Sequence, residues 1–279
     1  MSVGALPIGV CLGSIGVDAA WWLESARRLD QAGYAGIWCW DHFVGKGDRT
    51  VPVLEQWTML AAAAALTSRA ELGSFVANVM NRHPAVLARM AGTVQAISGG
   101  RLTLGIGIGG HPAEHRAYGI EWPSATERAG RLEGAVAAIR ALWTGGPVDL
   151  AVPAITLRDA VAWPIPVPVP RIIVGGETPT GARLAARIGD GWTAFDRTFE
   201  RDLPAYLEAL AAAGRSRADQ RLIVAFEAGR SGVDALQGSP WISRPGEEFA
   251  RWRAAGADDV IVTARTTADI DRLVDAVSR

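Results

Sequence analysis

Residues Gly36 to Phe43 read GIWCWDHF. Apolar residues on both alternating faces mark a strand that is covered on both sides, as in a parallel sheet. The run ends on an acid and an imidazole, so Asp41 and His42 stand where a buried strand meets solvent. Working outward, seven further runs have the same form: PIGVCLG at 7–13, AELGSFVANV at 70–79, RLTLGIGIG at 101–109, RIIVGG at 171–176, GWTAF at 191–195, LIVAFEAG at 222–229 and DDVIVTA at 258–264. Helical patterns separate them. In ATERAGRLEGAVAAIRALW, residues 125–143, Leu132, Val136, Ile139 and Trp143 recur at helical spacing and lay one apolar stripe against a sheet. Eight strand–helix units in one chain predict an α/β fold, a (β/α)8 TIM barrel, with residues 1–279 as a single domain.

Composition agrees with a large globular core: 279 residues, 49% hydrophobic and 20% charged, with a formal net charge of -1. Such a charge offers no basic field for a nucleic acid or an anionic membrane. The N-terminal stretch MSVGALPIGVCLGSIGVD has no basic segment ahead of its apolar residues, and no apolar run approaches the ~18 residues of a membrane span. The expectation is a cytoplasmic protein with a small-molecule substrate. Cys11 and Cys39 lack metal-ligand spacing and are expected to be buried, reduced thiols; no metal site is expected.

A barrel places chemistry on the loops that follow the strands. Asp41 and His42 are therefore on the catalytic rim, and the segment VGKGDRT after them is expected to form part of a substrate wall. The proline-rich stretch LAVPAITLRDAVAWPIPVPVP, 150–170, falls on the opposite face and is expected to be structural. Three other rim stretches each have a functional and a plain reading. The glycines of GIGIGG, 105–110, either admit a flat ligand against the backbone or relieve a crowded barrel interior. Gly175 and Gly176 precede Thr178 as helix cap and Pro179 as first helical residue, a junction that suits a phosphate or is an ordinary glycine turn. His83, before Pro84, is expected to open a helix rather than to catalyse.

Taken in order, GIWCWDHF, NRHPAVLARMAGTVQAISGGRLTLGIGIGG (81–110) and WPIPVPVPRIIVGGETPTGARLAARIGDGW (163–192) resemble the bacterial luciferase-like superfamily of flavin- and deazaflavin-dependent oxidoreductases over nearly the whole chain. With its DH pair after the second strand, the chain is similar to the branch that uses the 8-hydroxy-5-deazaflavin coenzyme F420; other relatives bind FMN and activate oxygen. The resemblance implies that His42 exchanges a proton beside the reacting ring and that Asp41 contacts the deazaflavin head group. It implies that Ser74, Phe75 and Ala77 support the ring, that Gly107 lies beside it, and that Val174, Gly175 and Gly176 bind the cofactor phosphate. It also implies a non-prolyl cis peptide between Ser74 and Phe75, counted back from Pro84, and a homodimer built on helices such as the alanine-rich VLEQWTMLAAAAALTS, 53–68. Two departures point away from sugar-phosphate oxidation: Gly110 stands where such relatives have a catalytic glutamate, and Lys46 where an aromatic residue follows the DH pair. Glu114, His111 and His115 are expected to be solvated loop residues. Three functions remain open at this stage: an F420-dependent oxidoreductase, an FMN monooxygenase, and a non-catalytic binder of flavin or deazaflavin.

Overall fold

In a computed structural model, residues 8–45, 47–231 and 235–277 are described. The strands are β1 (Ile8–Leu12), β2 (Gly36–Cys39), β3 (Glu71–Ser74), β4 (Ala77–Asn78), β5 (Leu102–Gly107), β6 (Val148–Val152), β7 (Ile155–Ala160), β8 (Arg171–Gly175), β9 (Gly191–Phe195), β10 (Arg221–Phe226) and β11 (Asp259–Ala264). The order β3-β2-β1-β11-β10-β9-β8-β5 is parallel throughout and closes through a β3–β5 pairing. β4 continues the line of β3 after a two-residue break and pairs with β5. The result is the expected eight-stranded TIM barrel, ringed by helices.

One indole explains several glycines. Trp38 of β2 points into the barrel, where it belongs to an interior cluster with Cys11, Phe75, Ile173, Ile223, Ala225 and Ile261. A β-carbon at Gly9 would lie 2.6 Å from its ring and one at Gly36 2.8 Å, while at Gly73 it would overlap the six-membered ring. β3 therefore carries Gly73 directly opposite Trp38, and Gly9 of β1 and Gly36 of β2 lie beside the indole, because a close-packed interior has no other space for so large a side chain. Below the indole, at the N-terminal mouth, Arg221 bridges Glu71 and Asp259. Burial pulls this guanidinium down, but hydrogen bonds and charge from Glu71, with Asp259, hold it above its ordinary range.

The helix expected over 125–143 runs from Ala125 to Leu142, with Leu132, Val136, Ile139 and Trp143 all buried. A full capping box between Ser124 and Glu127 starts it. The proline-rich stretch contains the antiparallel hairpin β6–β7 and two cis prolyl bonds, Trp163–Pro164 and Val167–Pro168. It packs on the helix through Gly134, where a β-carbon would meet the Pro153 carbonyl at 3.0 Å. Cys11 and Cys39 are free and buried, and burial pushes both thiols above their ordinary range. Among the described residues, no helix is long and apolar enough to cross a membrane.

Helix Ala19–Ala32 is tied to the start of β3 by a buried carboxylate. Asp30 accepts the backbone N–H groups of Ser68, Arg69 and Ala70 at 3.1, 2.9 and 2.7 Å. Burial alone would raise its carboxyl, but these donors and Arg69 hold it below the ordinary value. A depressed folded-state value contributes stability above the unfolded carboxyl range, and that contribution is lost as pH falls through the folded value. Asp30→Asn is therefore expected to cost about 1–3 kcal/mol at neutral pH, since an amide oxygen can keep the Arg69 and Ala70 N–H groups only by turning its NH2 group toward the Ser68 N–H. Thermal unfolding of both proteins across pH checks this. The gap between them should narrow in acid, and a gap independent of pH would show that the charge contributes nothing.

Candidate active site

The C-terminal ends of the strands gather the rim residues. After Cys39 the chain turns through Trp40, Asp41, His42 and Phe43. Asp41 is turned inward: its side chain is 1% exposed and accepts the Asn78 N–H at 2.8 Å and Arg82 Nη1 and Nη2 at 2.8–3.0 Å. Arg82 reaches on to Glu55 at 2.5 Å. The carboxylate that the resemblance gives to a cofactor head group is thus engaged by the protein, and it anchors the loop that carries His42.

His42 faces outward, with its side chain 39% exposed. Its Nδ1 lies 3.2 Å from Oε2 of Glu114, whose other oxygen accepts the Phe43 N–H at 2.7 Å. Here the structure corrects the expectation of a solvated loop. Glu114 is 1% exposed and His115 is fully buried, because the short helix Pro112–Ala117 folds back against the β2 loop. His115 places Nδ1 3.1 Å from the His111 carbonyl and Nε2 2.9 Å from Asn78 Nδ2, so the neutral ring donates from Nδ1 and accepts at Nε2. His111 brings its own Nδ1 to 3.4 Å from Glu114 Oε2, too poorly aligned for a hydrogen bond.

The floor of the rim is apolar. Phe75 sits over the interior cluster, edge-on to Trp38 at 6.2 Å and to Phe195 at 6.1 Å, with Trp40 and Val76 beside it. Ser74 donates its hydroxyl to the Gly105 carbonyl at 2.7 Å, and both Ser74 and Ala77 are fully buried. The non-prolyl cis bond is Phe75–Val76, one bond beyond the Ser74–Phe75 linkage expected. The chain there swings Val76 across the barrel mouth. A β-carbon would meet its methyl groups at 3.0 Å from Gly107 and 3.2 Å from Gly175, and one at Gly105 would strike the Ser74 carbonyl. Gly105, Gly107 and Gly175 make room for Val76 and the broken strand, whereas a β-carbon at Gly110 would meet nothing within 4 Å.

Gly176 likewise serves packing, since its β-carbon would lie 2.9 Å from the Gly181 backbone and its N–H already donates to Thr193. Thr178 caps helix Pro179–Ile188 by accepting the Gly181 N–H at 3.1 Å, as expected, and Val174 is buried in β8. His83 caps helix Pro84–Ile97, also as expected. Cations line the far side of the rim, each beside a carboxylate. Arg230 pairs with Glu177 at 2.8 Å and lies 3.9 Å above the Phe195 ring, while Arg265 pairs with Glu227 and lies 4.9 Å from Trp40. Lys46 lies outside the described residues. Of the VGKGDRT segment, Gly47–Thr50 is exposed, and the residues after it bind the β1 loop through an Ile15–Val53 bridge.

Comparison with known proteins fits this geometry. The profile of the luciferase-like monooxygenase family matches residues 11–228. The chain belongs to that family. An F420-dependent glucose-6-phosphate dehydrogenase of Beutenbergia cavernae is 31% identical over 262 residues, 89% of this chain and 73% of that protein. One of the same name from Amycolatopsis mediterranei is 35% identical over 175 residues, 61% of this chain and about half, 51%, of the relative. In fold the chain is similar to an F420-dependent secondary alcohol dehydrogenase solved with an F420-acetone adduct, with a TM-score of 0.83, 20% identity and 99% of each chain covered.

Thr193 Oγ1, both amide atoms of Asn81 and His111 Nδ1 are buried without a hydrogen-bond partner among the described residues. They lie on the rim side of β9 and on the loops after β4 and β5. Buried polar atoms cost free energy until something pairs with them. The residues that sequence reasoning missed are Val76, Arg82 and Glu114. Only Glu114 left a trace, an acid between two histidines in HPAEH.

Proposed function

We propose that this protein is a coenzyme F420-dependent oxidoreductase, transferring a hydride between the deazaflavin and a small organic substrate, with His42 exchanging the accompanying proton. The observation that carries the reading is the exposed His42 ring, backed by a buried carboxylate and set beside an apolar floor where a flat ring system has Phe75, Trp40 and Val76 to lie on. The names of the relatives support the deazaflavin over FMN. Bound there, F420 supplies a two-electron hydride carrier. His42 takes up or returns the proton, as an imidazole does near neutral pH. The Asn81, Thr193 and His111 atoms are candidates to hold the ring's polar edge, while Asp41 acts through the loop it anchors.

The rim also bears on substrate. Arg230 and Arg265 are each neutralised by a carboxylate, so a phosphate group would have to displace Glu177 or Glu227. With glycine at Gly110, this favours an unphosphorylated alcohol or carbonyl compound over a sugar phosphate. The reading includes a cytoplasmic homodimer. Titrating the apoprotein with F420 and with FMN, followed by fluorescence, tests it. Saturable binding of F420 and weak or no binding of FMN are expected; the reverse order would replace this reading with a flavin monooxygenase.

A further inference from the structure

Glu114 connects two loops and faces two imidazoles, and its two oxygens are not equivalent. Oε1 is committed to the Phe43 N–H at 2.7 Å, a backbone donor. Oε2 lies 3.2 Å from His42 Nδ1, while His111 Nδ1, at 3.4 Å, is out of line. An ionised carboxylate only accepts hydrogen bonds, so the His42 contact is attractive only when Nδ1 carries a proton. The opposite tautomer would set a bare nitrogen lone pair against a carboxylate oxygen that water scarcely reaches, since the Glu114 side chain is 1% exposed.

We infer that Glu114 is a positioning residue that holds neutral His42 as the Nδ1–H tautomer and thereby reserves the bare Nε2 for the proton exchanged with substrate. The inference rests on the reading of His42 as the acid/base. With an alcohol as substrate, the hydroxyl proton goes to Nε2 and the O–H electron pair closes the carbonyl bond. The hydrogen on carbon leaves with its own pair for the oxidised deazaflavin. The imidazolium so formed has an N–H on each side, with Nδ1–H still bonded to Glu114. Reduction of a carbonyl runs the same path backward from the imidazolium.

Glu114→Gln separates this role from that of a loop anchor. The amide oxygen is held by the Phe43 N–H, so the NH2 group is turned to His42 Nδ1. That nitrogen must then accept, which moves the ring proton to Nε2. An anchor survives the change and a tautomer setter does not.

The test is a long-range 1H–15N correlation of the histidine rings in uniformly labelled protein without cofactor, on the alkaline side of their titration. His42 is assigned by the signals lost in His42→Gln. The expected result is Nδ1–H in the parent and Nε2–H in Glu114→Gln. With F420 and a secondary alcohol, kcat in the variant should fall by ~10²-fold or more while F420 affinity stays within about twofold. An Nε2–H ring in the parent would overturn the inference, and that measurement needs only His42→Gln, for assignment, and not Glu114→Gln. So would an unchanged tautomer in Glu114→Gln, or a reversed tautomer with unchanged kcat. If the parent turns over no substrate with F420, the functional reading falls, while the ring measurement still decides the tautomer.

Discussion

Arg82→Leu is expected to destabilise the protein by about 3–5 kcal/mol, the usual cost of stranding a buried charge. The Asp41 side chain is 1% exposed, and both its oxygens are held by Arg82, whose own side chain is 11% exposed. Burial lowers the Arg82 guanidinium, but the hydrogen bonds and charges of Asp41 and Glu55 outweigh it and hold the group above its ordinary value. With leucine in its place, Asp41 retains the Asn78 N–H as its remaining strong partner. For a chain of this size the loss corresponds to a fall in Tm on the order of 10 °C. Thermal unfolding measures it, and Arg82→Leu combined with Asp41→Asn should recover much of the fall, because the uncompensated charge is then gone. A loss under about 1 kcal/mol would mean that the loop is held by something other than this ion pair.

His42→Ala should act in the opposite way, with little effect on the fold and a large one on the reaction. The ring is partly exposed, and Glu114, its one bonded partner among the described residues, keeps the Phe43 N–H when the ring is removed. Stability is expected to change by less than about 1 kcal/mol, as for other exposed positions. Turnover with F420 should fall by roughly 10²-fold or more, the usual contribution of a positioned acid or base, with F420 affinity retained. Steady-state kinetics and a cofactor titration on the same preparation distinguish the cases. Unchanged kcat would remove His42 from the chemistry, and lost binding would make it a ligand of the cofactor.

The barrel was legible because its signal is local and repeated. Each strand is a short apolar run, each helix a stripe, and the eight runs read from sequence fall on the eight strands of the ring, with β10 starting one residue earlier, at Arg221. The caps at Thr178 and His83 were legible for the same reason, as each involves residues within a few positions of one another. What escaped lies between distant segments. Asp41 looked like a rim carboxylate because its partner Arg82 is 41 residues away. Glu114 looked solvated because the loop that buries it comes from β2, 71 residues earlier. Gly105 and Gly107 of GIGIGG could be tied to packing only through Val76, in the break between β3 and β4, which occupies the space they leave. Sequence spacing carries no measure of such meetings, whereas strand order brings them about.

Glu114 has one more consequence. It fastens the β2 loop to the β5 loop through His42 and Phe43, and Tyr118 adds a second fastening with its hydroxyl on the Phe43 carbonyl at 3.3 Å and its ring 5.1 Å from that of Phe43. These two loops must therefore travel as one jaw. The opposite jaw, formed by segments after β8, β9, β10 and β11, is held by Arg230–Glu177, a pair open to water and weakened by salt, and by Arg265–Glu227, of which only the arginine is exposed. The barrel mouth is thus unevenly braced: the side that bears the histidine is tied by a buried carboxylate, the facing side by ion pairs whose arginines are half exposed.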